Sequence, residues 1–147
     1  MLVTHDDMNT IVGELWSTVF GMGINSTAPA PFDGRVITAT VSMSGDCTAS
    51  VVVRCGDELA EQLAAKALGL DESALVPDDL HDTVGEVANI LAGNVKAMLG
   101  GQLRLSLPAV TDGAAELVEV GRDDVVQDDH FVCNGRHLAV TSKRQPA

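Results

Sequence analysis

Met8, Ile11, Val12, Leu15, Val19 and Met22 recur three or four positions apart, the spacing of one helical face. The pattern predicts a helix over residues 5–21, capped by Thr4 with Asp7 as its reciprocal partner. Pro29, Pro31 and Gly34 make 24–34 a loop. RVITATVS (35–42) and TASVVVR (48–54) are rich in β-branched residues, and SGDC between them predicts a hairpin. GDELAEQLAAKALG (56–69) reads as a short helix ending at Gly69. A second long helix is predicted from Asp79 to Leu99, with Asp78 as N-cap, Pro77 outside it, and Gly100 and Gly101 as its stop. Leu103, Leu105 and Leu107 then alternate with Arg104 and Ser106, which predicts a strand ended by Pro108. AELVEVG (115–121) reads as a further strand and GRDDVVQDD (121–129) as an acidic loop. HFVC (130–133) and RHLAVT (136–141) flank Asn134-Gly135, a hairpin signal, and SKRQPA (142–147) reads as a frayed tail.

The order is helix, hairpin, helix, helix, then strands. It predicts an α/β (α+β) fold with long helices packed on a mainly antiparallel sheet. One domain over residues 1–147 is expected. VGELWSTVFG (12–21) and VGEVANILAG (84–93) agree at Val, Gly, Glu and the final Gly. Both sit in helices followed by strands, so a pseudo-two-fold internal duplication is expected.

Composition narrows the function. Aromatics are 3% of the chain, so the core must be aliphatic. The net charge of −12 argues against nucleic acid and anionic membranes as partners. The absence of a basic-flanked apolar leader or a long apolar run points to a soluble, cytoplasmic protein. Cys47, Cys55 and Cys133 lack metal-like spacing and read as small buried hydrophobes. His5, His81, His130 and His137 show no ligand spacing, so no metal is expected on this chain.

On a wheel of about 100° per residue, Asp82, Glu86, Asn89 and Gly93 fall within an arc of roughly 60°. Lys96 lies beside that line, and Leu80, Val84, Val87, Leu91, Val95, Met98 and Leu99 take the opposite face. Gly85 and Gly93 each cost the helix about 1 kcal/mol relative to Ala. Gly85 is expected to ease packing against a neighbouring helix or to serve the ridge. Gly93, on the ridge itself, is expected to let a partner's backbone or loop approach, the alternative being that it too eases packing against a neighbouring helix. Asn89 is intrinsically poor in mid-helix, and its neutral carboxamide suits holding water beside an anion.

Asp82-xxx-Glu86-xx-Asn89, with GEVANILAGNVKAMLG around it and LRLSLPAV after it, resembles the CheC/CheX/FliY chemotaxis phosphatase family, nearest to its CheX branch. The resemblance is firmest from Asp78 to Val110, and Pro108 is the candidate for the family's downstream proline. It implies hydrolysis of the phospho-aspartate of a CheY-like response regulator. Asn89 would position the attacking water, Glu86 would pair with the regulator's lysine, Asp82 would support them, and Gly93 and Lys96 would contact the partner. No cofactor is implied for this chain, because the divalent metal, expected to be Mg²⁺, belongs to the regulator. A homodimer formed through the sheet is also implied, with RHLAVTSKR as a candidate edge strand. The first decad has Thr10 and Ser17 where the second has Asp82 and Asn89, so it is expected to be a structural relic with Trp16 as packing. Two other readings stay open: a regulator-binding adaptor without catalysis, and an acidic dimer whose ridge is only a solvated face.

Overall fold

The structure, a computed structural model, describes residues 3–115 and 125–145, with Val126 and Gln145 described by their backbone alone. Helix α1 (His5–Leu15) opens on Thr4, whose hydroxyl accepts from Asp7 N–H while the Asp7 carboxylate accepts from Thr4 N–H. The expected single helix over 5–21 is instead two pieces. A π-helical turn (Trp16–Phe20) follows α1, and Gly21 ends it at φ 62. This wider turn rotates Val19 out of the core to 43% exposure.

Inside the expected 24–34 loop is a short strand, β1 (Asn25–Ser26). The hairpin β2 (Arg35–Gly45) and β3 (Thr48–Gly56) is as expected but longer. Helix α2 (Asp57–Leu68) ends at Gly69, and a 3-10 turn (Glu72–Ala74) leads to helix α3 (Pro77–Leu99). Strands β4 (Leu103–Leu105), β5 (Ala109–Ala114), β6 (Val125–Cys133) and β7 (Arg136–Gln145) complete the described chain. β5 was not foreseen. The strand expected over 115–121 lies, but for Ala115, outside the described residues. The expected loop over 121–129 is overturned from Val125 onward. Asp128 accepts from the Thr141 hydroxyl at 2.7 Å and Asp129 contacts His5, so partners distant in sequence hold these acids in a strand.

Among the described residues, seven strands form one antiparallel sheet in the order β1-β6-β7-β3-β2-β4, with β5 also on β2. β7 is therefore interior, bonded to both β3 and β6, which corrects its expectation as an exposed edge. The expected tail is corrected too, since Ser142 to Gln145 pair with β3. The strand order is symmetric about the β3–β7 ladder, where Val52 pairs with Thr141 and Val53 with Val140. Outward from that ladder, each hairpin carries a short strand of the opposite half: β1 on β6, β4 and β5 on β2.

Alternation decides which face is covered. Ile37, Ala39, Val41 and Met43 of β2, and Val51, Val53 and Cys55 of β3, are buried with Val84, Val87, Leu91 and Val95 of α3. Cys55 and Cys133 are buried, whereas Cys47 is half-buried in the hairpin turn. Burial pushes the Cys55 thiol far above its ordinary range.

The opposite sheet face carries a histidine pair. His130 Nδ1 and His137 Nε2 are 2.7 Å apart, a contact their spacing in the chain did not reveal. Burial, then the charges of His130 and Arg54, hold the His137 imidazole below its usual 6.5. The unfolded chain then binds the extra proton more readily, so folded-state stability falls as pH drops from 6.5 toward the folded value. We expect His137→Gln to gain on the wild type between about pH 7.5 and pH 5 in urea unfolding curves. A difference that stays constant with pH would show that His137 does not titrate out of step with the unfolded chain.

Candidate functional site

The candidate site lies on α3, and local chemistry fixes where that helix begins. Val76, not Asp78, is its N-cap, and Pro77 occupies the first helical position. That position leaves its N–H unbonded in any case and suits the fixed φ of proline. Asp79 Oδ2 accepts from Val76 N–H at 2.9 Å, closing the first turn. Val84, Val87, Ala88, Leu91, Ala92 and Val95 are buried in the core shared with the sheet and the other helices.

Asp82 and Glu86 stand exposed on the outer ridge, with Asn89, Gly93 and Lys96 half-buried along it. The wheel expected all of this line to be open, and the middle of the ridge is shallower than that. Among the described residues, Asp82, Glu86 and Asn89 have no side-chain hydrogen-bond or ion-pair partner. Among the described residues, and apart from the backbone of α3 itself, no atom lies within 4 Å of where a Cβ on Gly93 would stand.

Gly85 is different. It is buried, and a Cβ there would meet Val110 Cγ2 at 3.4 Å and Pro108 Cβ at 3.5 Å. It eases packing, as one expectation held, but against the β4–β5 connection and not against a helix.

Ser106 fixes that connection. Its N–H donates to Ser42 O at 2.8 Å, and its hydroxyl accepts from Ser42 N–H at 2.9 Å and donates to Leu107 O at 2.9 Å. The result seats Pro108 on Gly85 and turns Leu107 outward to 88% exposure. The alternation that put Leu107 on one face with Leu103 and Leu105 therefore stops at Leu105. Farther along, Asp112 of β5 bridges Arg35 at 3.0 Å and His81 Nε2 at 3.1 Å, which ties β5 to the start of α3. Burial raises the Asp112 carboxyl, but the His81 and Arg35 contacts outweigh it and hold it below the usual carboxylate range. Nothing in the local sequence marked this bridge, because its members come from three separate elements.

The ridge's other flank borders a cleft between the π-helical turn, α2 and α3. Val19, Phe20, Leu68 and Ile90 line it, with Asp82 and Glu86 at its edge. The equivalent line on α1, with Thr10, Glu14 and Ser17, is exposed but interrupted. The π-helical turn opens at Trp16, and Gly21, the counterpart of Gly93, ends the helix where α3 runs on to Leu99. Trp16 is fully buried, a packing residue as expected.

Residues 37–128 match the family model described as chemotaxis phosphatase CheX. No curated protein sequence matches the chain. Among solved structures, chemotaxis protein CheX from Vibrio vulnificus is similar with a TM-score of 0.79 at 15% identity, covering 95% of each chain. A putative chemotaxis protein from Desulfovibrio vulgaris Hildenborough gives 0.74 at 22%, covering 94% of each. CheX in a complex with CheY, BeF3 and Mg²⁺ from Borrelia burgdorferi gives 0.71 at 14%, covering 99% of this chain and 100% of that one. At these identities the structures show a shared fold. No helix among the described residues is long and apolar enough to cross a membrane.

Proposed function

The chain belongs to the chemotaxis phosphatase CheX family, and from that premise we propose that it hydrolyses the phospho-aspartate of a CheY-like response regulator. The observation that carries the reading is the ridge itself: an acid and a carboxamide, unengaged by any described residue, stand one helical turn apart beside an open glycine.

The regulator brings the phosphoryl group, its divalent metal and a lysine. This chain brings position. Asn89 enters the regulator's pocket and holds a water in line with the bond to be broken. The water oxygen attacks phosphorus, the bond from phosphorus to the aspartate oxygen breaks, and the carboxylate is regenerated as inorganic phosphate leaves. Such transfers depend mainly on positioning and electrostatics, so a fixed water is a sufficient contribution. A neutral amide suits the task because a carboxylate in its place is repelled by the phosphoryl oxygens. Glu86 pairs with the regulator's lysine and sets the depth of insertion. Asp82 supports docking from the preceding turn, and Lys96 meets the partner beyond Gly93.

The test follows phosphate loss from a purified, phosphorylated CheY-like regulator with wild type and with Glu86→Ala. We expect the wild type to shorten the phosphate's lifetime, and Glu86→Ala to raise KM about tenfold or more with a smaller effect at saturation. Binding without any change in lifetime would favour the adaptor reading. Gly93→Ala separates folding from docking. It is expected to stabilise the chain by about 0.5–1 kcal/mol through helix propensity. The same substitution is expected to weaken regulator binding, because its Cβ fills the approach to the ridge. Thermal melts and titration against a beryllofluoride-treated regulator check the two halves of that statement.

A further inference from the structure

The mechanism above uses Asp82 and Glu86 at the edge of the cleft beside the ridge, but none of the cleft's apolar walls. We propose that the cleft receives an apolar side chain of the response regulator, one lying next to a basic residue, and that this contact selects which regulator the ridge engages. The proposal rests on the phosphatase reading only for the partner's class.

The cleft, about 290 Å³ in volume, has apolar walls that remain in water. Val19 is 43% and Leu68 50% exposed, apolar area whose burial by a partner is favourable. Its walls are also well fixed. Phe20 packs edge-on against buried Trp16, with ring centroids 5.2 Å apart, and Gly69 in the left-handed region ends α2 just beyond Leu68. Its polar residues narrow the occupant. Asp79, Asp82 and Glu86 border it, and among the described residues no lysine, arginine or histidine does. A second copy of this chain, at net charge −12, brings like charge to that border, and an anionic membrane surface does the same. A basic residue beside an apolar one satisfies both parts. The cleft is also continuous with the ridge through Asp82 and Glu86, so a regulator seated on Glu86 reaches the cleft without a second docking step.

A contact of this kind holds ground state and transition state alike. It therefore acts on affinity and leaves the saturated rate in place. The test uses the full chain with Leu68→Asp and Val19→Ser, both at exposed positions, with melting curves to show that each folds. Affinity is measured by titration against a panel of beryllofluoride-treated CheY-like regulators, which needs no hydrolysis. The saturated rate of phosphate loss is measured separately. We expect Leu68→Asp to weaken the preferred regulator at least tenfold, to narrow the spread of affinities across the panel, and to change the saturated rate less than twofold. Val19→Ser should weaken binding in the same direction by a smaller factor. Weaker binding by the variants in a protein that never hydrolyses would sink the phosphatase reading and leave the cleft's role standing. Unchanged affinity and ranking, or no regulator bound at all, would overturn the proposal. So would a wild-type dimer in sedimentation that Leu68→Asp dissolves, since the occupant would then be a second copy.

Discussion

Replacing Asn89 with Ala is expected to slow phosphate loss from the regulator by about 100-fold or more, with affinity kept within a few-fold. Removing one positioned donor from a charge-developing site characteristically costs about 10²–10³ in rate. Asn89 has no described partner, so its removal leaves no buried group unpaired within this chain. Ala is also the better helix former, so the variant's fold should be at least as stable. Asn89→Asp is the sharper control. It keeps the length and one acceptor oxygen but adds a charge facing the phosphoryl group, and it should be as slow as Ala. Stopped-flow phosphate release at saturating regulator reads the rate, and titration with beryllofluoride reads the affinity. If Asn89→Ala lost affinity and rate in equal measure at low regulator while keeping the saturated rate, Asn89 would be a docking group and the water would be held by something else.

The largest expected effect on folding lies at Trp16. Its side chain is fully buried, and Trp16→Ala should cost about 3–5 kcal/mol, as large aromatic truncations in cores do. Trp16→Phe should cost far less. It keeps a ring against Phe20 and removes an indole N–H that has no hydrogen-bond partner among the described residues. Urea unfolding of the three proteins gives the comparison. Equal losses for Ala and Phe would mean that the indole itself, and not the volume it fills, holds this corner together. Because Phe20 lines the cleft, the Ala variant should also bind regulator less well at temperatures where it is still folded.

The ridge was legible in the sequence because a helix has fixed geometry. Once residues 79–99 are helical, Asp82, Glu86 and Asn89 must share a side, whatever surrounds them. Asn134-Gly135 was legible for a similar reason: both residues adopt positive φ, 51° and 76°, which their own chemistry permits. The free space at the Gly93 Cβ position follows from its place on the outer ridge, whereas Gly85 could be assigned only with Pro108 and Val110 in view. Features set by distant pairing were not legible. Nothing within RHLAVTSKR indicates that β3 and β6 lie on either side of it. Asp128 and Asp129 look like loop residues until Thr141, His130 and His5 come beside them. The π-helical turn escaped notice because Val19 fits the periodicity of an unbroken α-helix.

The exchange of short strands across the sheet bears on how the molecule can be divided. β1 follows α1 yet completes the hairpin made by the C-terminal half, while β4 and β5 follow α3 yet complete the hairpin made by the N-terminal half. The halves are clasped, each finishing what the other starts, so neither fragment alone carries all its proper neighbours. The stretch between α2 and α3, exposed at Leu70 to Ala74, is by contrast only a tether. Severing it breaks none of the ladders among the described residues, so the two pieces are expected to stay joined by the strands they have lent each other, which size-exclusion of the nicked protein would check.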